Sequence, residues 1–329
     1  MADGRWVGAP RRGGPGAGRA QPPGMTGGIL RLATRGSRLA VAQAESVAAE
    51  LRAFHPALTV RLEIVQTRGD AELDRSIAAI GKGAFVREVQ QAVLDGAADV
   101  AVHSFKDLPT DDVPGLVVGA VPMRADPRDV FVARDGKVFQ YQPPGVRVGT
   151  GSPRRTAQLL RRRSDIAVVP IRGHVETRLA KLDQGDVDGL VLAAAGLDRL
   201  GLLDRVTEYF DTDLMIPAPG QGALALEVRA DDQATAALLA PLHDEATAYA
   251  VRAERVCLAR LGGGCGTPIG IFALTDGDIM AVHGIVSRPD GSKSARLRWS
   301  GPWREAEDVG ETLAELLLAA GAGNHLKGL

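Results

Sequence analysis

From Ile29 onward the apolar positions switch repeatedly between strand and helix spacing. Ile29–Thr34 is a short apolar run that reads as a strand, and after Arg35-Gly36-Ser37 the spacing turns helical over Arg38–Phe54, with Ser37 as N-cap. Leu58–Gln66 alternates apolar and polar residues, the signature of a half-buried strand. A polar stretch from Thr67-Arg-Gly-Asp70 to Gly83 follows, then a helix over Phe85–Leu94 and a buried strand over Asp99–His103. The βαβα order predicts a largely parallel α/β sheet. A second series repeats it, with strands over Val130–Ala133, Val146–Thr150, Ala167–Ile171 and Leu190–Ala194 and helices near Arg154–Arg163 and Val175–Gln184.

Val121–Pro127 and Met215–Gln221 read as linkers, and Leu224–Val228 reads as one more strand. The chain therefore leaves its first domain (29–122 and 223–240), builds a second (128–216) and returns, which makes a double hinge with a cleft between the domains. Residues 245–329 read as a smaller α+β domain: a helix over Glu245–Arg260, three strands near 270–275, 279–287 and 294–299, and a last helix near 304–320. Residues 1–28 hold nine Gly, four Pro and four Arg against the single acid Asp3, too little apolar surface to order a segment, so a disordered tail is expected there.

The 329 residues are 45% hydrophobic but only 4% aromatic, so the core must be built from aliphatic side chains. A net charge of -1 gives no global case for nucleic acid, and no apolar run reaches the roughly 20 residues of a membrane helix. Two cysteines, Cys257 and Cys265, cannot form a disulfide framework, and no secretory core precedes the first strand; a cytoplasmic, reducing setting is expected. No His/Cys cluster has metal-ligand spacing, so no metal is expected.

Three stretches carry candidate chemistry. The helix ending at Arg260 runs into Leu261-Gly-Gly-Gly-Cys265-Gly-Thr-Pro, a glycine-rich turn with one thiol at its centre. Taken alone this reads as a helix end whose cysteine is small and buried more readily than as a reactive thiol. Ser104-Phe-Lys106-Asp107-Leu-Pro109 follows a strand, at the end where open α/β sheets place ligands. Residues 147–178 carry eight Arg against Asp165 and Glu176. A solvated helix end accounts for Arg161–Arg163, whereas Arg154, Arg155, Arg172 and Arg178 follow strand ends and would suit a ligand rich in carboxylates.

Together these strings resemble one family. Leu-Ala-Thr34-Arg35-Gly-Ser37, Gly81-Lys82-Gly83-Ala-Phe85, Ala-Val-His103-Ser104-Phe-Lys106-Asp107-Leu-Pro109 and Asp126-Pro-Arg128-Asp129 come first. Gly149-Thr-Gly-Ser152-Pro-Arg154-Arg155, Arg172-Gly173, Thr177-Arg178-Leu, Ala195-Gly-Leu-Asp-Arg199-Leu-Gly201, Pro219-Gly-Gln221-Gly222 and Gly-Gly-Cys265 follow in the same order as in hydroxymethylbilane synthases, also called porphobilinogen deaminases. The resemblance implies two periplasmic-binding-protein-like α/β domains joined by a double hinge, plus the α+β C-terminal domain. It implies a transferase of tetrapyrrole and heme synthesis that condenses four porphobilinogens and releases hydroxymethylbilane. It further implies a monomer that can hand its product to the next enzyme of the pathway.

By motif match Cys265 would hold a covalent dipyrromethane cofactor, and Asp107 would be the catalytic carboxylate. Lys106, Ser104, Ser152, Arg154, Arg155, Asp70 and Lys82 would contact the cofactor, and Arg35, Ser37, Phe85, Arg172, Arg178, Arg199 and Gln221 the substrate. Loss of ammonia from a pyrrole-methylamine leaves a cationic azafulvene, which a carboxylate can stabilise while accepting pyrrole N–H bonds. Gly151, where many members carry Ser, and His174, where Asn is frequent, depart from the commonest pattern. Three rival readings are a hinged binding protein for anionic solutes, a cysteine hydrolase using Cys265 with His103 or His174, and an anion- or nucleic-acid-binding module. The first lacks an export signal, the second a recognisable setting for the base, and the third aromatics for stacking.

Overall fold

The computed structural model describes residues 28–67, 83, 86–264 and 266–326. The expected tail, and with it the site candidates Asp70, Lys82, Phe85 and Cys265, lies outside the described residues. The first sheet begins with β1 (Ile29–Arg35), α1 (Arg38–Phe54) and β2 (Thr59–Val65). It continues with α2 (Arg87–Leu94), β3 (Val100–Ser104) and β4 (Leu116–Ala120). α1 forms because Ala40, Gln43, Ala44, Val47, Ala48 and Leu51 make one buried stripe at helical spacing, and Ser37 Oγ accepts from Ala40 N at 3.3 Å. The stripe packs on Leu30, Leu32, Val100 and Val102 of β1 and β3.

The chain then crosses to the second sheet: β5 (Asp129–Ala133), β6 (Arg147–Gly149), α3 (Pro153–Arg162), β7 (Ala167–Val169), α4 (Val175–Gln184), β8 (Gly189–Ala193), α5 (Ala194–Arg199) and β9 (Glu208–Tyr209). It returns with β10 (Leu224–Arg229), followed by α6 (Gln233–Leu239). The strand orders are β2-β1-β3-β10-β4 and β7-β6-β8-β5-β9. Each sheet has two parallel pairings (β1 with β2 and β3; β6 with β7 and β8) and two antiparallel ones (β10 with β3 and β4; β5 with β8 and β9). Four strands of each sheet therefore run one way, as the expected largely parallel sheets require, and β10 and β5 alone are reversed. The strand that enters each sheet through a hinge crossing runs against its neighbours, because it arrives from the cleft end.

The two crossings lie side by side. Ala125 N donates to Gly222 O at 3.3 Å, and Gly222 has φ +89° with room for no Cβ, which would come 2.4 Å from Ala125 O. Arg163 departs from its sequence reading. Its guanidinium lies 5.8 Å from the Phe139 ring centre and donates to Phe139 O and Gln142 O at 3.1 and 2.7 Å, so it braces a loop, while Arg161 and Arg162 are exposed.

The C-terminal unit sets α7 (Glu245–Arg260) and α8 (Ala306–Ala319) on the antiparallel meander β11 (Ile269–Asp276), β12 (Ile279–Ser287) and β13 (Ser294–Pro302), before the short α9 (Gly323–Leu326). Ala250, Ala253, Cys257 and Leu261 of the α7 side interlock with Val309, Leu313 and Leu317 of α8 and with Ile271 and Val282 of the sheet. Burial, then the Glu254 charge, pushes the Cys257 thiol up to about 12, so it is an inert core residue. Glu254 is fully buried and ties this unit to both crossings. It takes Arg124 Nη1 at 2.6 Å, Gly220 N at 2.6 Å and Ala273 N at 2.8 Å, while Arg124 Nε donates to Gln221 O at 2.8 Å. Removing one partner of such a buried pair costs about 3–5 kcal/mol. Among the described residues no helix is long and apolar enough to cross a membrane.

Candidate active site

The site forms where β3 ends beside the hinge. Val100, Ala101, Val102 and His103 are buried, and Phe105–Asp107 is a single 3-10 turn that brings Lys106 and Asp107 out, each half-buried. Phe105 N donates to Ala223 O at 3.0 Å. Gly220 (φ +72°) is pressed on the same turn: a Cβ there would lie 3.1 Å from Lys106 N. His103 does not reach toward the turn; its Nε2 lies 3.0 Å from Glu227 Oε2, and Gln90 Nε2 donates to the same carboxylate at 2.9 Å.

The second sheet supplies the cations, and one carboxylate that the sequence reading did not single out as a site residue. Asp129, at the start of β5, is fully buried. Arg154 Nη1 donates to its Oδ2 at 2.5 Å, Arg155 Nε to its Oδ1 at 2.9 Å, and Gln221 Nε2 to the same Oδ1 at 3.0 Å. Burial would raise this carboxyl, but Arg154 and Arg155 outweigh it and hold it far below the usual carboxylate range. Arg154 also donates to Ile216 O at 2.9 Å and Arg155 to Val191 O at 3.0 Å. The two arginines are thus anchored within the protein, at 4% and 8% side-chain exposure, rather than extended into open solvent.

Cationic charge still exceeds anionic charge here. Burial, then Arg155, lowers the Lys106 ammonium to about 8, against the opposing pull of Asp107 and Asp129. Burial, then Arg155 and Arg172, lowers Arg178 to about 10. Lys106 of one sheet and Arg154, Arg155, Arg172 and Arg178 of the other therefore share one electrostatic neighbourhood. Arg154 Nε and Gln221 Oε1 are buried with no hydrogen-bond partner among the described residues. Crowded guanidiniums and orphaned polar atoms fit a ligand with several carboxylates and N–H groups, which a dipyrromethane with its acetates and propionates is.

The other candidates have definite places. Ser37 and Ser152 are helix N-caps, Ser152 Oγ accepting from Arg155 N at 3.5 Å, and Ser104 Oγ takes Gln43 Nε2 at 2.8 Å. Each of these hydroxyls thus has a partner within the protein. Arg35 ends β1, half-buried; Arg178 Nε donates to Gly173 O at 2.8 Å; Arg199 Nη2 donates to Gly222 O at 2.9 Å, reaching from α5 to the hinge. A Cβ on Gly151 would sit 2.9 Å from Ile171 O, so a serine there would require the backbone to move. Asp129 and Glu254 were readable in one respect: each is an acid inside an otherwise apolar buried pattern, and such an acid needs a cationic partner. Which arginine answers it depends on strand order.

Two family profiles cover most of the chain: "porphobilinogen deaminase, dipyromethane cofactor binding domain" over residues 30–237 and "porphobilinogen deaminase, C-terminal domain" over residues 248–319. The porphobilinogen deaminase of Syntrophotalea carbinolica is 48% identical over 306 residues, 93% of this chain and 97% of that one. That of Roseiflexus castenholzii is 46% identical over 300 residues, 91% and 99% of the two chains. Among solved structures, the methionine-binding protein MetQ is similar at 11% identity and a TM-score of 0.42, over 64% of this chain and 89% of that one. At that score the likeness adds nothing to the functional reading, and the solute-binding alternative gives way to the family match. With both profiles in chain order and near-complete coverage of its relatives, the chain belongs to the porphobilinogen deaminase family.

Proposed function

We propose that the cleft between the two sheets joins four porphobilinogens head to tail and frees hydroxymethylbilane by hydrolysis, with Asp107 as the catalytic carboxylate and Cys265 as the attachment point of a dipyrromethane. The observation that carries this reading is the placing of one carboxylate-bearing turn, Lys106-Asp107, against an excess of buried cations from the opposite sheet. When bound, the dipyrromethane supplies the pyrrole carbon on which the chain is built. Each addition breaks the aminomethyl C–N bond, forms a C–C bond and takes one proton from the accepting carbon. Asp107 accepts pyrrole N–H bonds, offsets the positive charge that develops as ammonia departs, and is placed to carry the proton away.

Arg155, Arg172, Arg178 and Lys106 take the acetate and propionate groups. Arg154 is held by Asp129 and Ile216 O and keeps Nε for the ligand. Arg199, Gln221, Arg35 and Ser37 shape the walls of the cleft, with Ser104 and Ser152 behind Asp107 and the arginines. Asp70, Lys82 and Phe85 belong to the same reading by motif. The division into domains at 29–122 with 223–240, 128–216 and 245–329 goes with it. Both cysteines are accounted for without a disulfide, in keeping with a cytoplasmic monomer that passes its bilane to the next enzyme. Intact-mass measurement tests the core of the proposal. Cys265→Ser should fold yet lack the covalent dipyrrole mass and turn over little substrate. An unchanged adduct and full activity would sink it.

A further inference from the structure

Arg255 lies one residue beyond Glu254 on α7 and points elsewhere. Glu254 grips the hinge through Arg124 and Gly220. Arg255 instead sends both arms of its guanidinium to consecutive carbonyls just after the Lys106-Asp107 turn: Nη1 donates to Leu108 O at 3.0 Å and Nη2 to Pro109 O at 2.6 Å. The same guanidinium lies 5.2 Å from the ring centre of Phe105, the first residue of that turn. Lys106 and Asp107 are therefore bracketed, with Phe105 held on one side and Leu108 and Pro109 on the other by a single side chain of α7. Phe105 and Leu108 also pack with Ala248 and Val251 of α7 in one apolar cluster. α7 ends at Arg260 and leads directly into the glycine-rich stretch of the chain that carries Cys265.

We infer that Arg255 is a positioning residue, which registers the carboxylate of Asp107 against the helix that leads into the Cys265 loop. The inference rests on the assignment of Asp107 and Cys265 made above. Its physical basis is geometric. A planar fork satisfies two adjacent carbonyls at once and stacks on a ring, which a flexible ammonium cannot do. Apart from that apolar packing, which fixes no direction, the polar ties of the turn go to the hinge, through Phe105 N and Ala223 O and the close approach of Gly220. A turn held by the hinge alone would follow any flexing of the crossings. The Arg255 clamp makes it follow α7 instead, so that Asp107 and the attachment loop keep one spacing while the second sheet moves.

The test uses the full chain with its cofactor attached. Arg255→Met keeps an unbranched apolar stem and removes the fork; Arg255→Lys keeps the charge. Loss of register by about 1 Å costs on the order of a hundredfold in rate. Arg255→Met should carry the cofactor mass unchanged, hold KM within about twofold and lose roughly ten- to a hundredfold in kcat, with Lys restoring little of it. Backbone amides of residues 105–108 should exchange faster in the resting enzyme. A kcat within about twofold of wild type with the cofactor in place, or a loss confined to KM, overturns the inference. If Arg255→Met does not fold, Arg255→Lys is held to the same kcat criterion. Asp107→Asn is measured in parallel: full turnover there removes the assignment on which the inference stands, whereas a dead Asp107→Asn beside a normal Arg255→Met removes the inference alone.

Discussion

The first sheet runs β2-β1-β3-β10-β4 and the second β7-β6-β8-β5-β9, so that β3 corresponds to β8 and β10 to β5, with the same parallel and antiparallel steps. On this shared plan the two halves hold their charges by opposite means. Asp107 is set by backbone: a 3-10 turn after the central strand, pinned by Ala223 O and packed beneath by Phe105. Arg154 and Arg155 are set by another side chain. They open α3, where the helix dipole disfavours cations, and the buried Asp129 compensates. One half offers an acceptor placed through its backbone, which the hinge and the Arg255 fork grip. The other is partly neutralised from within by Asp129, and its remaining positive charge is what the proposed ligand would complete.

The widest separation between the halves should come from Asp107→Asn. Shape and one acceptor are retained while the charge is lost, so turnover should fall roughly a thousandfold with little change in Tm. Porphobilinogen consumption by protein whose cofactor mass has been verified is the measurement. Near-normal turnover would move the chemistry away from this turn.

Asp129→Asn should do the reverse and act first on stability. It leaves two guanidiniums inside the protein with no anion, at a cost of about 3–5 kcal/mol and a drop in Tm of roughly 10 °C. Acid should not reproduce it. The folded carboxyl lies below its unfolded value, so its stabilisation is fully present above about pH 4 and is lost progressively only in stronger acid, as pH falls from there to the lower, folded value. A Tm within about 2 °C of wild type would show that the arginines stand without their anchor.

These two residues also mark how far the sequence could be read. α1, α4 and α7 match their expected spans because a buried stripe and an end signal coincide, as with Ser37 before α1 and Gly185 after α4. β6 and β7 are three residues each, shorter than expected, since the ladder between them runs only over Arg147–Gly149 and Ala167–Val169. β4 was missed because Leu-Val-Val-Gly-Ala beside a presumed linker shows no alternation, as were the short α5 and α6. Lys106 and Asp107 were legible as residues following a strand. That Arg154 and Arg155 would turn to Asp129 was not, because it depends on β5 lying next to β8, a long-range pairing that local spacing does not encode. The pairing of Glu254 with Arg124 and of Arg255 with Leu108 and Pro109 was hidden likewise, since each spans more than a hundred residues.

Lys106 gives a milder contrast, through pH. Its folded value of about 8 lies below the usual 10.5, so folding disfavours its charged form, and that cost is present below pH 8 and disappears between about 8 and 10.5. Stability from this group therefore rises with pH across that window, while affinity for an anionic ligand falls. Carboxylate binding should draw a proton onto Lys106 near pH 8, and KM should rise several-fold between about pH 7.5 and 9.5 through the lost charge-assisted contact. Lys106→Met should flatten the profile; an equally steep rise in that variant would assign the titration elsewhere.

The smallest effect should come from the ion pair that spans the two halves. Arg38 Nη1, in the first turn of α1, lies 3.6 Å from Glu176 Oε1, in the first turn of α4, and Arg38 is exposed. Such a pair contributes about 0–1 kcal/mol in water and is screened further by salt. Against it stands the α1 dipole, which disfavours a cation at that position by about 0.3–1 kcal/mol. Glu176 meets the opposite condition, an acid where the α4 dipole favours one, so Arg38 is the informative side to change. In Arg38→Gln the two terms nearly cancel, and Tm should stay within about 2 °C and turnover within about twofold, with a weaker dependence of KM on ionic strength. A tenfold loss of turnover would mean that this contact, rather than the double crossing and the Glu254 anchor, sets the geometry in which the carboxylate of one half meets the cations of the other.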